Sequence, residues 1–219
     1  MLTYAKKGKV AHIILDDGKA NAVSHALIDT LNDALDQAEQ EASATLLQGR
    51  EGKFSAGFDL QEIAKGPDAA SALVNKGGLL LLRLFSFPQP VIAACTGHAV
   101  AAGAFLLLAS DTRIGIEGPF RIGLNETAIG MTLPEFGHQL AITRLQPTAL
   151  TASFVQAQLF NPQQAREVGF LDQVVSADQL AATALAVADE LAELPTAVYA
   201  ANKRDIRRDA IAAMQASFQ

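Results

Sequence analysis

Glu126 is the residue in this sequence with the clearest potential for acid–base chemistry. It lies in "RIGLNETAIG" (residues 121–130), among apolar residues and between Gly123 and Gly130. Apolar surroundings disfavour the charged form of a carboxyl group and raise its pKa. A raised pKa suits a group that removes a proton and later returns it. A capping or surface glutamate would fit the same pattern, so both interpretations stay open at this point.

Two turns made of small residues could supply a second chemical element. "SAGFDL" (55–60) and "AVAAGAFLL" (99–107) each resemble a turn from a strand into a helix. The first N–H groups of a helix have no partner inside it, and small side chains let a ligand approach the backbone. Two such turns could direct two amides at one oxygen and stabilise negative charge that develops there. Ordinary tight turns would use the same residues.

Hydrophobic spacing predicts the elements that would position these groups. Strands are predicted at 9–17, 44–49, 91–97, 112–117 and 170–175, and residues 50–60 are predicted as a loop. Helices are predicted at 24–41, 69–85, 102–111, 161–169, 176–194 and 196–217. Alternating strands and helices favour an α/β fold with crossover connections, and the chain becomes mostly helical from about residue 133.

The composition narrows the class of protein and its partners. Half of the 219 residues are hydrophobic, and the net charge of -6 argues against nucleic acid as the main partner. The single cysteine, Cys95, excludes an internal disulfide and is typical of a reducing cytoplasm. The four histidines are scattered, and the longest apolar runs are too short to span a bilayer. We therefore expect a cytoplasmic protein without a metal site or membrane segment.

Four segments together resemble the enoyl-CoA hydratase/isomerase (crotonase) superfamily. They are "FSAGFDL", "GHAVAAGAFLLLASDTRI", "IGLNETAIG" and "VGFLDQVV", and the similarity extends from about Lys9 to Arg208. The first and third most resemble Δ3,Δ2-enoyl-CoA isomerases of fatty acid metabolism. The resemblance implies a spiral of ββα units over residues 1–132 and a helical trimerisation region over residues 133–219. It also implies a homotrimer or a dimer of trimers.

The resemblance implies a role for several residues in an acyl-CoA site. The amides of Phe58 and Ala102 would hold the thioester oxygen, and Glu126 would be the acid–base residue. The remaining residues expected to bind substrate are Ala56, Gly57, Gly103 and Phe105. Hydratases of this superfamily carry a second glutamate at the position of Phe105. The absence of a glutamate at this position implies a proton shuttle rather than addition of water. No cofactor is expected, because CoA is part of the substrate.

Other residues have weaker claims. Glu135 is a possible second carboxylate near the pocket, and His98 could brace a turn. Lys203, in the basic run "NKRDIRR", could meet CoA phosphates, although such a run is usually a solvated helix face. Structural roles are expected for Asp59, Asp111 and Cys95. Alanines in place of the glycines common among relatives, Ala101 and Ala102, would narrow the space near the carbonyl.

Several alternative functions remain open from the sequence. An enoyl-CoA hydratase, or another crotonase-type acyl-CoA hydrolase or decarboxylase, would use a similar pair of amides. Serine hydrolysis would require a serine with a base and an orienting acid, and the chain has no "GxSxG". A catalytically silent acyl-CoA-binding protein is the alternative from a different class, and the presence of Glu126 argues against it.

Overall fold

The computed structural model describes residues 2–218 and contains two β-sheets surrounded by helices. The strands are β1 (Leu2–Lys7), β2 (Val10–Leu15), β3 (Ala44–Gln48), β4 (Gly52–Ser55), β5 (Val91–Cys95), β6 (Gly97–Val100), β7 (Thr112–Ile116), β8 (Ile122–Gly123) and β9 (Gln173–Val175). The α-helices are α1 (His25–Glu41), α2 (Leu60–Ile63), α3 (Pro67–Ser86), α4 (Ala102–Ala109), α5 (Glu135–Arg144), α6 (Pro162–Val168), α7 (Leu180–Leu191), α8 (Thr196–Ile206) and α9 (Arg208–Ala216).

The chain winds between the two sheets as a spiral. The large sheet has the order β1-β2-β3-β5-β7-β9, and the small sheet has the order β4-β6-β8. Only the β1–β2 pair is antiparallel among the described strands. Each of the pairs β3–β4, β5–β6 and β7–β8 therefore gives one strand to each sheet before a helix follows. This repeated strand–strand–helix unit is the α/β spiral that the sequence resemblance implied.

Local signals explain why the predicted helices form where they do. The Ser24 side chain accepts a hydrogen bond from the Leu27 amide at 3.2 Å and caps α1, whose apolar residues face the core. Helix α6 begins with a capping box between Asn161 and Gln164 and ends at Gly169 in the left-handed conformation. Both helices lie within the ranges predicted from the sequence, 24–41 and 161–169.

The structure corrects the sequence prediction in several places. Strand β4 lies within the predicted loop 50–60, and strand β1 was not predicted. Strand β1 is an edge strand with mostly exposed residues, and β4 has only two buried residues, so neither has a strong apolar pattern. The predicted helix 196–217 is interrupted at Arg207, which leaves helical geometry between α8 and α9.

A buried ion cluster fastens α8 to the body of the protein. The Lys203 ammonium lies 2.6 Å from an Asp111 carboxylate oxygen and donates to the carbonyls of Phe87 and Gln89 at 2.8 and 3.0 Å. The Arg207 guanidinium lies 2.9 Å from the other Asp111 oxygen. Lys203 and Arg207 are buried, so the expectation that "NKRDIRR" is a solvated face is wrong for these two residues. The expectation that Lys203 meets CoA phosphates is also wrong, because its ammonium group is held inside this cluster. The structural role expected for Asp111 agrees with this position.

We expect Lys203→Met to lower the free energy of unfolding by about 3 kcal/mol. The substitution removes the ammonium group that pairs with the buried Asp111 carboxylate and donates to the carbonyls of Phe87 and Gln89. Urea denaturation measures the change. Lys9→Met is the matched control, since its ion pair with Glu193 is exposed and such pairs contribute roughly 0–1 kcal/mol. Equal losses in the two variants would show that the buried cluster stabilises the protein no more than an exposed ion pair does.

Two glycines in the middle of α3 make room for aromatic rings. Glycine costs about 1 kcal/mol relative to alanine inside a helix. A Cβ atom on Gly77 would collide with the Phe58 ring. A Cβ atom on Gly78 would lie 2.6 Å from the Phe136 ring and 2.7 Å from the Phe218 ring. Helix α3 therefore lies directly against three phenylalanine rings that come from distant parts of the chain.

Candidate active site

A cavity of about 600 Å³ opens at the carboxyl end of the small sheet. Its wall includes Ala56 and Phe58 after β4, Ala101 after β6, and Asn125 and Glu126 after β8. The carboxyl ends of parallel strands meet at one edge of a sheet, and ligands bind there in many α/β proteins. The three strands thus bring together segments that are far apart in the sequence.

The turns after β4 and β6 are in direct contact. Gly57 has a φ of 99°, and a Cβ atom on it would lie 2.9 Å from the Ala101 Cβ and 3.5 Å from the Ala102 nitrogen. Ala101 itself has a φ of 52°, which is unusual for a residue other than glycine. The positive φ at both positions lets the turn at Gly57 lie against the start of α4.

The amides of Phe58 and Ala102 are not used by the hydrogen bonds that surround them. The Val23 amide donates to the Gly57 carbonyl at 2.8 Å, and the Asp59 amide donates to the Val23 carbonyl at 3.2 Å. These two bonds hold the chain on either side of Phe58 and direct its own amide away from Val23. Ala102 is the first residue of α4, so its amide has no partner within that helix. Both amides thus lack a backbone hydrogen-bond partner among the described residues.

Glu126 is a buried carboxylic acid on the cavity wall. The residue is 7% exposed, and its Oε2 atom is buried without a hydrogen-bond partner among the described residues. Burial raises the pKa of Glu126, and hydrogen bonds from the backbone of Glu126 and Asn125 offset part of that rise. The Glu126 carbonyl accepts from the Met131 amide at 2.9 Å, which closes the loop that carries it. The Glu126 side chain therefore stays protonated to a higher pH than an ordinary glutamate does.

Phe105 forms part of the inner wall of the same cavity. It is 1% exposed and meets the Phe136 ring edge to face, with ring centroids 5.7 Å apart. A Cβ atom on Gly137 would lie 2.8 Å from the tip of the Phe105 ring, so α5 packs tightly behind it. An apolar ring here leaves Glu126 as the only acidic side chain on the cavity wall among the described residues.

The predicted site residues occupy two layers. Ala56, Phe58, Phe105 and Glu126 line the cavity. Gly57, Ala102 and Gly103 lie behind this wall, and Gly103 packs against the Ser55 backbone. The Ala102 methyl group is in the core, whereas Ala101 reaches the cavity. The expectation that both alanines narrow the carbonyl site is therefore wrong for Ala102 and agrees with the position of Ala101.

The weaker candidates lie away from the cavity wall. Glu135 accepts a hydrogen bond from Gln139 at 2.7 Å and lies 3.6 Å from His138. The His98 Nδ1 atom accepts from the Arg121 amide at 3.1 Å, so this ring braces a turn as expected. Asp59 caps α2 by accepting from the Gln61 amide at 2.9 Å. Burial raises the pKa of Cys95 to about 12, which makes its thiol unreactive.

Sequence reasoning missed Asn125 as a wall residue. Its Oδ1 atom is buried without a hydrogen-bond partner among the described residues, and the residue lines the cavity together with Glu126. The only feature of the sequence that could have identified Asn125 is its position directly before Glu126. The apolar part of the wall was also missed, because it consists of residues from four separate segments: Leu60, Ile63, Val74, Ile129, Met131 and Phe136.

Within residues 2–218, no helix combines the length and the apolar character needed to cross a membrane. The same residues contain no group of three or more His, Cys, Asp or Glu side chains placed to hold a metal ion.

The cavity thus combines one buried carboxylic acid with an apolar wall, and it lies at two turns whose Phe58 and Ala102 amides have no backbone partner among the described residues. The family model described as "Enoyl-CoA hydratase/isomerase" matches residues 5–219. The chain therefore belongs to the enoyl-CoA hydratase/isomerase family and is an acyl-CoA enzyme of the crotonase superfamily.

Relatives of known sequence carry several names within this family. The chain is 32% identical to a carnitinyl-CoA dehydratase of Proteus mirabilis over 211 residues, which are 94% of this chain and 80% of that protein. It is 35% identical to a probable enoyl-CoA hydratase of Bacillus subtilis over 144 residues, which are 64% of this chain and 55% of that protein.

Solved structures share the fold over nearly the whole chain. A family protein from Pseudomonas syringae is 42% identical with a TM-score of 0.97, and the match covers 99% of this chain and 94% of that chain. An enoyl-CoA isomerase of Mycobacterium tuberculosis is 36% identical with a TM-score of 0.94 and coverage of 99% and 95%. The human mitochondrial Δ3,Δ2-enoyl-CoA isomerase is 25% identical with a TM-score of 0.92 and coverage of 99% and 90%.

Proposed function

We propose that this protein is a Δ3,Δ2-enoyl-CoA isomerase. The observation that carries the proposal is that Glu126 is the single acidic side chain on the cavity wall among the described residues, with the Phe105 ring on the same wall. One buried acid can move a proton between two carbon atoms of one substrate. The hydration of a double bond also requires a group that holds and activates the water. The human mitochondrial Δ3,Δ2-enoyl-CoA isomerase supports the same assignment, whereas the Mycobacterium tuberculosis relative carries both the isomerase and the hydratase name.

The proposed reaction uses the Glu126 carboxylate and the backbone amides of the two turns after β4 and β6. The thioester oxygen of a 3-enoyl-CoA accepts hydrogen bonds from the Phe58 and Ala102 amides. The Glu126 carboxylate removes a proton from C2, and the electrons move into a dienolate whose oxygen carries the negative charge. The two amides stabilise that charge. The protonated Glu126 then donates its proton to C4, so that the double bond now joins C2 and C3. The scheme is a proton transfer and needs no metal or redox cofactor. CoA enters as part of the substrate.

Hydration is the second candidate, favoured by relatives that are named hydratase or dehydratase. In that reaction, water would add to C3 of a 2-enoyl-CoA. The 1% exposed Phe105 ring opposes it, because an aromatic side chain can neither hold water nor accept its proton. Exclusion of water would also protect the dienolate.

We expect the wild-type protein to convert 3-hexenoyl-CoA to 2-hexenoyl-CoA and to leave crotonyl-CoA essentially unhydrated. Absorbance at the conjugated thioester band and mass spectrometry follow the two reactions. Robust formation of 3-hydroxybutanoyl-CoA would replace the isomerase assignment with the hydratase. Binding of all these thioesters without turnover would favour a silent binder.

The pH dependence of the reaction should reveal the buried acid. Glu126 must be ionised to remove a proton, and burial raises its pKa above the ordinary glutamate value of 4.5. We therefore expect kcat/KM to rise with pH along a limb whose midpoint lies above that ordinary value. Initial rates measured over a range of pH values with a short 3-enoyl-CoA give the midpoint. A limb at the ordinary value would mean that the acting carboxylate is solvated and is not Glu126.

We further propose that the protein assembles as a homotrimer or a dimer of trimers through residues 133–219. Light scattering coupled to gel filtration measures the mass in solution. A monomer that retains full activity would show that the site needs no partner subunit.

A further inference from the structure

The cavity has an open mouth and a closed inner end. At the mouth, Leu60 is 69% exposed and Ile129 is 52% exposed, although both side chains are apolar. At the inner end, Phe105 and Phe136 are each only 1% exposed. This gradient in exposure gives the cavity a direction, and a flexible apolar chain that entered at the mouth would end against the two buried rings.

A third ring supports this closed end from behind. The Phe218 ring stacks on Phe136 with centroids 6.3 Å apart and planes 16° apart, while Phe105 meets Phe136 edge to face. Phe218 is not part of the cavity wall. Phe136 therefore lies between the cavity and a residue of the C-terminal segment. The position of Phe136 depends on whether Phe218 occupies the space behind it.

Helix α3 removes the remaining freedom of these rings. Gly78 contacts both Phe136 and Phe218 so closely that an added Cβ atom would lie within 2.7 Å of each ring. The two rings cannot move towards α3, and Phe136 cannot move towards Phe218. The structure thus has a fixed wall at the inner end of the cavity, assembled from α3, α5 and the segment after α9.

We propose that Phe218, by holding Phe136 in place, sets the longest acyl chain that the site accepts. The inference rests on the proposed function, since it assumes that an acyl thioester enters with its carbonyl at the Phe58 and Ala102 amides. The substrate class is then an enoyl-CoA whose acyl tail ends at the Phe136 ring. Phe218 is a positioning residue that touches no substrate atom.

Binding of saturated acyl-CoA thioesters tests the proposal without turnover. Calorimetry with the series from butanoyl-CoA to hexadecanoyl-CoA gives an affinity for each chain length. In the wild type, affinity should increase about fourfold for each buried CH₂ group and then stop increasing at a break point. Phe218→Ala should move the break point to longer chains, because Phe136 gains space behind it. Gly78→Ala should move it to shorter chains, because the new methyl group pushes the rings towards the cavity.

Ile206→Ala is the matched control, since Ile206 is 84% exposed in the same C-terminal region and touches neither ring. It should keep the wild-type break point. If Phe218→Ala does not fold, Phe218→Leu provides a smaller shift in the same direction, and Gly78→Ala gives the opposite one. A common break point in all variants, or no break point in the wild type, overturns the proposal. Failure of every thioester to bind would instead overturn the proposed function.

Discussion

Glu126→Gln is expected to reduce the isomerisation rate by about 10²–10⁴-fold, the usual cost of removing a general base. The substituted side chain has nearly the same shape, so the cavity and the two amides remain. Acyl-CoA binding should therefore persist while turnover is lost. Glu135→Gln is the control, because Glu135 is hydrogen-bonded to Gln139 outside the cavity wall and should be dispensable for turnover. Wild-type rates in Glu126→Gln would remove this residue from the mechanism.

The same substitution should not destabilise the protein at neutral pH. Burial raises the pKa of Glu126 in the folded state above its value in the unfolded chain. The contribution of such a group to stability is fully present below the unfolded pKa and is lost as the pH rises through the folded pKa. Above the folded pKa the wild type therefore carries an unfavourable buried charge that glutamine lacks. Thermal unfolding should show an equal or higher Tm for Glu126→Gln, and a clearly lower Tm would contradict this account.

The second large effect is expected for Gly57→Ala. The new methyl group would meet the Ala101 Cβ at 2.9 Å, and the backbone has a φ of 99° that alanine rarely adopts. The chain must shift, and the Phe58 amide that follows Gly57 would move relative to the start of α4. Loss of one such donor reduces kcat by about 10²–10³-fold. We therefore expect a loss of this size in isomerisation, measured as kcat with saturating 3-hexenoyl-CoA.

Gly8→Ala separates strain in the backbone from damage to the site. Gly8 also has a positive φ, 59°, but it lies in the turn between β1 and β2 with no atom within 4 Å of an added Cβ. Both variants should lose some stability, and only Gly57→Ala should lose activity. Similar kinetics in the two variants would show that the thioester oxygen binds elsewhere.

The predictable part of the fold is the part in which local signals agree with packing. Helix α1 has a capping serine and one apolar face, so its position follows from the sequence. The small sheet could not be predicted in the same way. Its strands have four, four and two residues, which is too short for a period of two to become visible. Their pairing depends on contacts between segments that are far apart in the chain.

The residues of the site could be predicted by their types, whereas the orientation of their side chains could be predicted less well. Glu126 and the turn at Phe58 could be selected because an isolated acid and small residues form recognisable patterns. The different positions of the Ala101 and Ala102 methyl groups could not be foreseen, since they depend on the positive φ of Ala101. Lys203 looked like a surface cation, and its partner Asp111 follows a different helix far away in the chain. A linear pattern does not contain such a pairing.

The small sheet also makes the length of three short segments part of the chemistry. Phe58 follows the last residue of β4 by three positions, Ala102 follows β6 by two, and Glu126 follows β8 by three. Deletion of Leu124 would draw the chain back by about 3.3 Å and turn the next side chains to the opposite face. Such a variant would keep the acid and both amides in its sequence and still lose their alignment. A catalyst transplanted onto another scaffold must therefore preserve these three distances along the chain, while many of the residues between them are free to vary.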